Sequence, residues 1–333
     1  MNIRPTYIAA VVFTLVCSPF AGAADFEPGN RVLLDAHNCY PYQGRWNDRI
    51  DRALESGLPV AIEQDMVWLK NEDTGEYRSI VSHGAPYTNE EPTLAEYFFE
   101  RIRPIVEKAL ADGNSGNWPL VTLNLDFKQS PVVHGEAVLD VLKQYEDWLT
   151  TAKRTKNEQK VSKLKVKPVL VLLGSQNSLA TVFHNSVPIG DPIMAFGACN
   201  LERYQDGKLT SEERQHLDAT VAPNLIINNP ATNYRRWWNN PWGRVEAGGQ
   251  RNAGDWTGVD MKRLEALTDH AHDLGYWIRF YTLNGHGRTD LGWGGGYNFG
   301  SLESVAERWK AVREAGVDFV ATDMYEEFAK SEH

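Results

Sequence analysis

Residues 119–127, Pro119-Leu120-Val121-Thr122-Leu123-Asn124-Leu125-Asp126-Phe127, hold the most informative alternation in the 333-residue chain. Side chains alternate along a strand, so Val121, Leu123, Leu125 and Phe127 share one face. Thr122, Asn124, Asp126 and the following Lys128 share the other. One face is apolar; the second turns polar toward its C-terminal end. Segment 59–65 repeats this, with Val60 and Ile62 opposite Ala61, Glu63 and Asp65, and in 32–37 Leu33, Asp35 and His37 share a face. A parallel sheet covered on both sides is apolar on both. Polar groups pointing inward at strand ends are what the mouth of a closed barrel requires.

Further strands are predicted at 79–83, 167–173, 192–197, 223–229, 276–283 and 317–323. Helices are predicted between them at 46–56, 93–112, 134–150, 211–218, 260–274 and 301–315. The first puts Trp46, Ile50, Ala53 and Leu54 on one face and stops at Gly57. Thr93 with Glu96, and Thr210 with Glu213, have capping-box spacing. Strand and helix alternate without an internal repeat or a Pro/Ser linker, which predicts one α/β domain over 24–333, a (β/α)8 TIM barrel. Two long loops are expected on its catalytic face. Residues 230–257 contain Tyr234, Arg235, Arg236, Trp237, Trp238, Trp242 and Trp256, and residues 284–300 contain Arg288 and Trp293.

The chain is 42% hydrophobic and 23% charged, a globular balance that excludes a disordered, collagenous or disulfide-scaffold protein. Its net charge of −10 argues against wholesale nucleic-acid binding. Arg4, the largely apolar run Ile8–Cys17 and Ala21-Gly22-Ala23 read as a cleavable signal peptide over 1–23. The expected product is an exported monomer, periplasmic or secreted. Export permits a disulfide between Cys39 and Cys199, and two separate buried thiols are equally compatible. The basic stretch 153–167 reads as a solvated helix end and loop, with transient contact to an anionic membrane surface left open. Asp206–Glu213 looks like the tail of an EF-hand loop, but Glu202 and Tyr204 do not fit its first and third ligand positions.

Glu63 and Asp65, two apart in a strand, project from one face, and adjacent anions that both stay ionised need a cation between them. Asp126 at the end of another strand can add a third oxygen. Three carboxylates suit one divalent cation, Mg²⁺ or Ca²⁺. His37 and His83 stand at strand ends beside them, one able to deprotonate a nucleophile and the other to protonate a leaving oxygen. This set points to phosphodiester cleavage more than to acyl transfer.

The order Ala36-His37, Ile62-Glu63-Gln64-Asp65, Ser82-His83-Gly84 and Leu125-Asp126-Phe127-Lys128 resembles the phospholipase C-like phosphodiesterase superfamily. Tyr281-Thr282-Leu283-Asn284 and Gly316-Val317-Asp318-Phe319-Val320-Ala321-Thr322-Asp323 resemble the W-T-V-N and G-V-D-G-I-I-T-D segments of glycerophosphodiester phosphodiesterases. The resemblance implies that His37 and His83 are the catalytic pair, that Glu63, Asp65 and Asp126 ligate the metal, and that Lys128 holds a phosphate oxygen. The chain departs from the glycerophosphodiesterase pattern where His37-Asn38-Cys39-Tyr40 replaces H-R-G and no P-E-N-T glutamate follows. Ser82-His83-Gly84-Ala85-Pro86 is similar to the sphingomyelinase D arrangement, and His37-Asn38 is similar to phosphatidylinositol phospholipases C.

The expected substrate is accordingly a small glycerophosphodiester or a phospholipid headgroup, cleaved by water or through a cyclic phosphate. Arg279 and Tyr281 share a strand face and are candidates to touch substrate, with a structural ion pair the alternative for Arg279. Trp237 and Trp238 are candidates to bind a headgroup, a sugar or an interface, with packing of their loop onto the barrel the alternative. A barrel without catalysis that binds carbohydrate or a partner through its Trp-rich loops is the alternative of a different class. Asp35 and Asp323, also at strand ends, are expected to orient their neighbours.

Overall fold

The structure is a computed structural model that describes residues 26–331 other than 43–44, 73, 89, 114–117, 203–208 and 288–294. The signal segment 1–23 and loop residues Arg288 and Trp293 lie outside the described residues. The strands are β1 (Leu33–Ala36), β2 (Val60–Lys70), β3 (Tyr77–Val81), β4 (Val121–Phe127), β5 (Thr151–Lys153) and β6 (Leu164–Lys165). They continue as β7 (Val169–Leu173), β8 (Pro192–Ile193), β9 (Phe196–Ala198), β10 (Arg235–Pro241), β11 (Trp277–Tyr281) and β12 (Phe319–Thr322). Eight of them, β1, β2, β4, β7, β9, β10, β11 and β12, run parallel in chain order around a ring. Pairing of Asp35 with Ala61 and Ala36 with Ile62 closes it between β1 and β2. The fold is a (β/α)8 barrel.

Helices lie between the barrel strands: α1 (Arg49–Glu55), α2 (Glu100–Ala111), α3 (Val132–Gln144), α4 (Asn177–Ala180) and α5 (Ser211–Thr220). The series ends with α6 (Pro223–Ile226), α7 (Gly258–Asp273), α8 (Leu302–Glu314) and α9 (Tyr325–Lys330). In α8, Val305, Trp309 and Val312 recur at helical spacing and are buried, and Trp309 Nε1 donates to the Leu283 carbonyl at 3.1 Å. The two capping boxes read from spacing form: Thr93 and Glu96 exchange bonds of 2.9 and 3.3 Å, Thr210 and Glu213 bonds of 2.8 and 3.2 Å. They satisfy N–H groups that a helix start leaves unpaired.

Several expectations are corrected. The apolar stretch 223–229 is not a strand; Pro223 at the first helical position starts α6, where its missing N–H costs nothing. The barrel strand lies instead at Arg235–Pro241, inside the expected loop 230–257. Segment 79–83 gives β3, an antiparallel partner of the long β2 and not part of the closed ring. Segment 192–197 splits between β8, in a small antiparallel sheet with β5 and β6, and β9 in the barrel. Helix α1 starts at Arg49, leaving Trp46 ahead of it in a left-handed conformation (φ 66°). Predicted helix 134–150 ends at Gln144, and a 3-10 turn follows. Cys39 and Cys199 are both free, buried thiols.

Candidate active site

A cavity of about 490 Å³ opens at the C-terminal ends of the barrel strands. Strand alternation delivers its lining: Glu63 and Asp65 from β2, Asn124 and Asp126 from β4, Trp237 and Asn239 from β10, Arg279 and Tyr281 from β11. His37 and Lys128 follow the ends of β1 and β4, and His83 follows β3.

His37 is buried and held from behind. Its Nδ1 lies 3.1 Å from Asp323 Oδ2 and 2.8 Å from Asn38 Nδ2, and a ring proton on Nδ1 is the one that this carboxylate would accept. Nε2 lies 3.5 Å from Glu63 Oε2. Burial alone lowers an imidazole pKa, but here the Glu63 and Asp323 carboxylates outweigh it and raise the His37 value. Asp323 also accepts from Arg49 Nη1 at 2.7 Å, Asn38 Nδ2 at 3.0 Å and Asn284 Nδ2 at 2.6 Å. Burial raises a carboxyl pKa, yet His37 and Arg49 hold Asp323 down at about 2. Asn38 adopts a left-handed backbone (φ 52°), which asparagine tolerates better than most residues, and its N–H donates to Glu63 Oε2 at 3.0 Å.

Glu63, Asp65 and Asp126 each offer an oxygen, and the three atoms lie within 4.8 Å of one another. Burial, then repulsion from Glu63, pushes the Asp65 carboxyl up to about 8. Lys128 Nζ lies 2.7 Å from Asp126 Oδ2 and 2.9 Å from Asp65 Oδ2. Behind them Arg279 is fully buried; its Nε donates to Asp35, its Nη2 to Glu63 Oε1 at 3.1 Å, and its Nη1 to Asn239 Oδ1 at 3.0 Å. Burial raises Glu63, but His37 and Arg279 outweigh that and lower its pKa. A cluster of hard oxygen donors around a small space fits Mg²⁺ or Ca²⁺ by its chemistry.

His83 stands at the exposed rim, its ring centroid 6.2 Å from Tyr40 and 6.0 Å from Tyr42. Burial of part of the ring and the nearby Lys128 charge lower its pKa. The cavity gathers His37, His83, Glu63, Asp65, Asp126, Lys128, Arg279, Tyr281 and Trp237. Trp238, next along β10, is fully buried and is not among its lining residues. Trp242 is likewise in the core, so the tryptophans expected on an open loop are largely packing residues.

Sequence reasoning missed Tyr40, Tyr42, Arg45 and Asn239 as lining residues, and placed Trp46 on a helix. The aromatics were detectable: Tyr40-Pro41-Tyr42 follows a strand-end histidine, and in a barrel such a loop lies on the catalytic face.

The class defined so far is a (β/α)8 barrel with an imidazole, carboxylate and lysine site at the strand C-termini. No family model matches the chain, and no curated protein does. Among solved structures it is similar to a glycerophosphoryl diester phosphodiesterase from Parabacteroides distasonis, at 14% identity over 93% of this chain and 87% of that one, with a TM-score of 0.41. A calcium-dependent phosphoinositol-specific phospholipase C from a Pseudomonas species is 15% identical over 91% and 92%, with a TM-score of 0.45. The wild-type HPPK-DHPS of Plasmodium falciparum, in complex with pteroate, has a TM-score of 0.40 at 7% identity. There the similarity covers 92% of this chain, which spans about half of that one (47%). Proteins with such different names score alike, so the functional argument rests on the side chains.

Proposed function

We propose that the protein is an exported, divalent-cation-dependent phosphoric diester hydrolase acting as a monomer on a small phosphodiester or a phospholipid headgroup. The observation that carries this reading is the convergence of three carboxylates, two histidines and a lysine on one cavity. Glu63, Asp65 and Asp126 would hold the cation, which when bound offsets charge developing on a nonbridging phosphoryl oxygen.

His37 is the base in this reading. With Nδ1 committed to Asp323, its Nε2 takes the proton from water or a substrate hydroxyl as that oxygen bonds to phosphorus. Asp323 and Glu63 flank the imidazolium that results. His83, at the open rim, gives its proton to the leaving oxygen as the phosphorus–oxygen bond breaks. One histidine gains a proton and the other loses one, and exchange with solvent restores both. Lys128 is the cation placed to attract the phosphoryl group, while Arg279 behind it pairs with Asp35 and Glu63.

The test is hydrolysis of bis(p-nitrophenyl) phosphate and a panel of glycerophosphodiesters and phospholipids, with EDTA, Mg²⁺ or Ca²⁺. Metal-dependent turnover that disappears in His37→Ala is expected. ³¹P NMR of the products separates direct hydrolysis from a cyclic phosphate. Silence across the panel under every metal would overturn the proposal.

A further inference from the structure

Arg235, the first residue of β10, is an arginine buried without an acid. It is 8% exposed. Its Nη1 donates to the carbonyls of Ala198 at 2.6 Å and Ser175 at 3.3 Å, and its Nη2 to Asn177 Oδ1 at 3.4 Å. No carboxylate pairs with it among the described residues. Two other arginines show what the free edge can do. Arg52 places Nε and Nη2 on the two oxygens of Glu326, and Arg308 places the same two nitrogens on Glu246. In Arg235 that fork meets one neutral oxygen at long range. A guanidinium taken out of water without a counter-charge is costly, and its planar fork matches an oxyanion.

Arg235 lines a second cavity of about 430 Å³ that shares no lining residue with the candidate active site. His184, on another wall, is 4% exposed. Its Nδ1 lies 3.0 Å from Asn185 Oδ1, which assigns the proton there. That leaves Nε2 as an acceptor, and it is buried with no partner. A buried polar atom without a partner calls for one. Asn200, Asn229 and Thr232 make the rest of the wall polar. Glu158, also on the wall, accepts from the Thr232 hydroxyl at 3.1 Å and makes no ion pair among the described residues. Among the described residues the cavity thus offers one unpaired cation, Arg235, one unpaired carboxylate, Glu158, and acceptors suited to hydroxyl groups.

We propose that this flank cavity binds a small hydroxylated oxyanion, with a carboxylate or phosphate group on the Nε/Nη2 edge of Arg235 and a hydroxyl donating to His184 Nε2. The site is separate from the hydrolytic one and does not depend on that assignment.

Isothermal titration of the full chain with D-glycerate and with inorganic phosphate tests it, run also on Lys128→Ala to remove anion binding at the candidate active site. A saturable one-to-one site is expected in Lys128→Ala, a site of the same affinity is expected in the native chain, and both are weakened at least about tenfold by Arg235→Gln. The tighter of the two probes identifies the anionic group. Absence of saturation by either probe up to about 20 mM overturns the proposal. So does a site that is lost in Lys128→Ala and kept in Arg235→Gln. If circular dichroism shows that Arg235→Gln does not fold, His184→Gln decides: glycerate affinity at least about threefold weaker supports the site, and unchanged affinity overturns it.

Discussion

Replacing Asp323 by asparagine separates the charge of this carboxylate from its shape. In the native fold its carboxyl is held at about 2, against 3.8 in an open chain, chiefly by His37 and Arg49 acting against burial. The folded state therefore binds fewer protons than the unfolded one between those values. The stabilisation is fully present above the unfolded value and is lost as pH falls through the folded one. It corresponds to about 2.5 kcal/mol at neutral pH. Asp323→Asn keeps the size but removes the Asp323 charge from Arg49 and His37, so the variant should be less stable at pH 7. Urea unfolding of both proteins from pH 5 to pH 3 follows the term, because it starts below the ordinary imidazole range and so limits the contribution of His37, whose pKa Asp323 also raises. The gap between them should narrow by about 1 kcal/mol by pH 3, where part of the term is gone. A gap that stays level or widens would refute the assignment of charge and hydrogen bonding at Asp323. The same variant should lower kcat by about 10²–10⁴ with little change in KM, since the orientation and proton affinity of His37 are affected more than binding.

Three further outcomes are expected. His83→Ala, at an exposed rim position, should fold normally and lose about 10²–10⁴ in turnover; near-native activity would remove His83 from the mechanism. Arg279→Met leaves Asp35 and Glu63 buried without their shared cation and should cost about 3–5 kcal/mol in urea unfolding; an unchanged midpoint and slope would show that the triad is not structural. Asp65→Asn should weaken Mg²⁺ and Ca²⁺ binding by about tenfold or more in calorimetric titration, and unaltered affinity would move the cation site elsewhere.

The barrel was legible where strands alternate cleanly. Val121, Leu123 and Leu125 against Thr122, Asn124 and Asp126 state both faces of β4, and β2 does the same. β10 was illegible because Arg235-Arg236-Trp237-Trp238-Asn239-Asn240-Pro241 has no aliphatic residue and ends in proline. Its buried arginines donate to backbone carbonyls such as those of Ala198 and Ser162, contacts that no sequence pattern displays. Its neighbour 223–229 misled in the opposite way, since Leu225, Ile226 and Ile227 look like a strand and only Pro223 signals a helical turn. At the site, residues two apart on one strand could be placed together. Arg279 lying between Asp35 and Glu63 could not, because β1, β2 and β11 meet only through barrel closure.

That closure sets the order in which the site can come into being. His37 stands near one end of the described chain and Asp323 near the other, 286 residues apart, and β12 must settle between β1 and β11 before the two meet. A chain growing from its N-terminus carries Glu63, Asp65, Asp126 and Lys128 well before Asp323 exists. Until then His37 has no carboxylate on Nδ1, and Arg49 lacks its partner at Asp323. Contacts between such distant residues form late, because long loops must be closed first. The orientation of His37 is therefore a report on completion: an unfinished or C-terminally shortened chain can hold most of the barrel and still lack an aligned His37 imidazole.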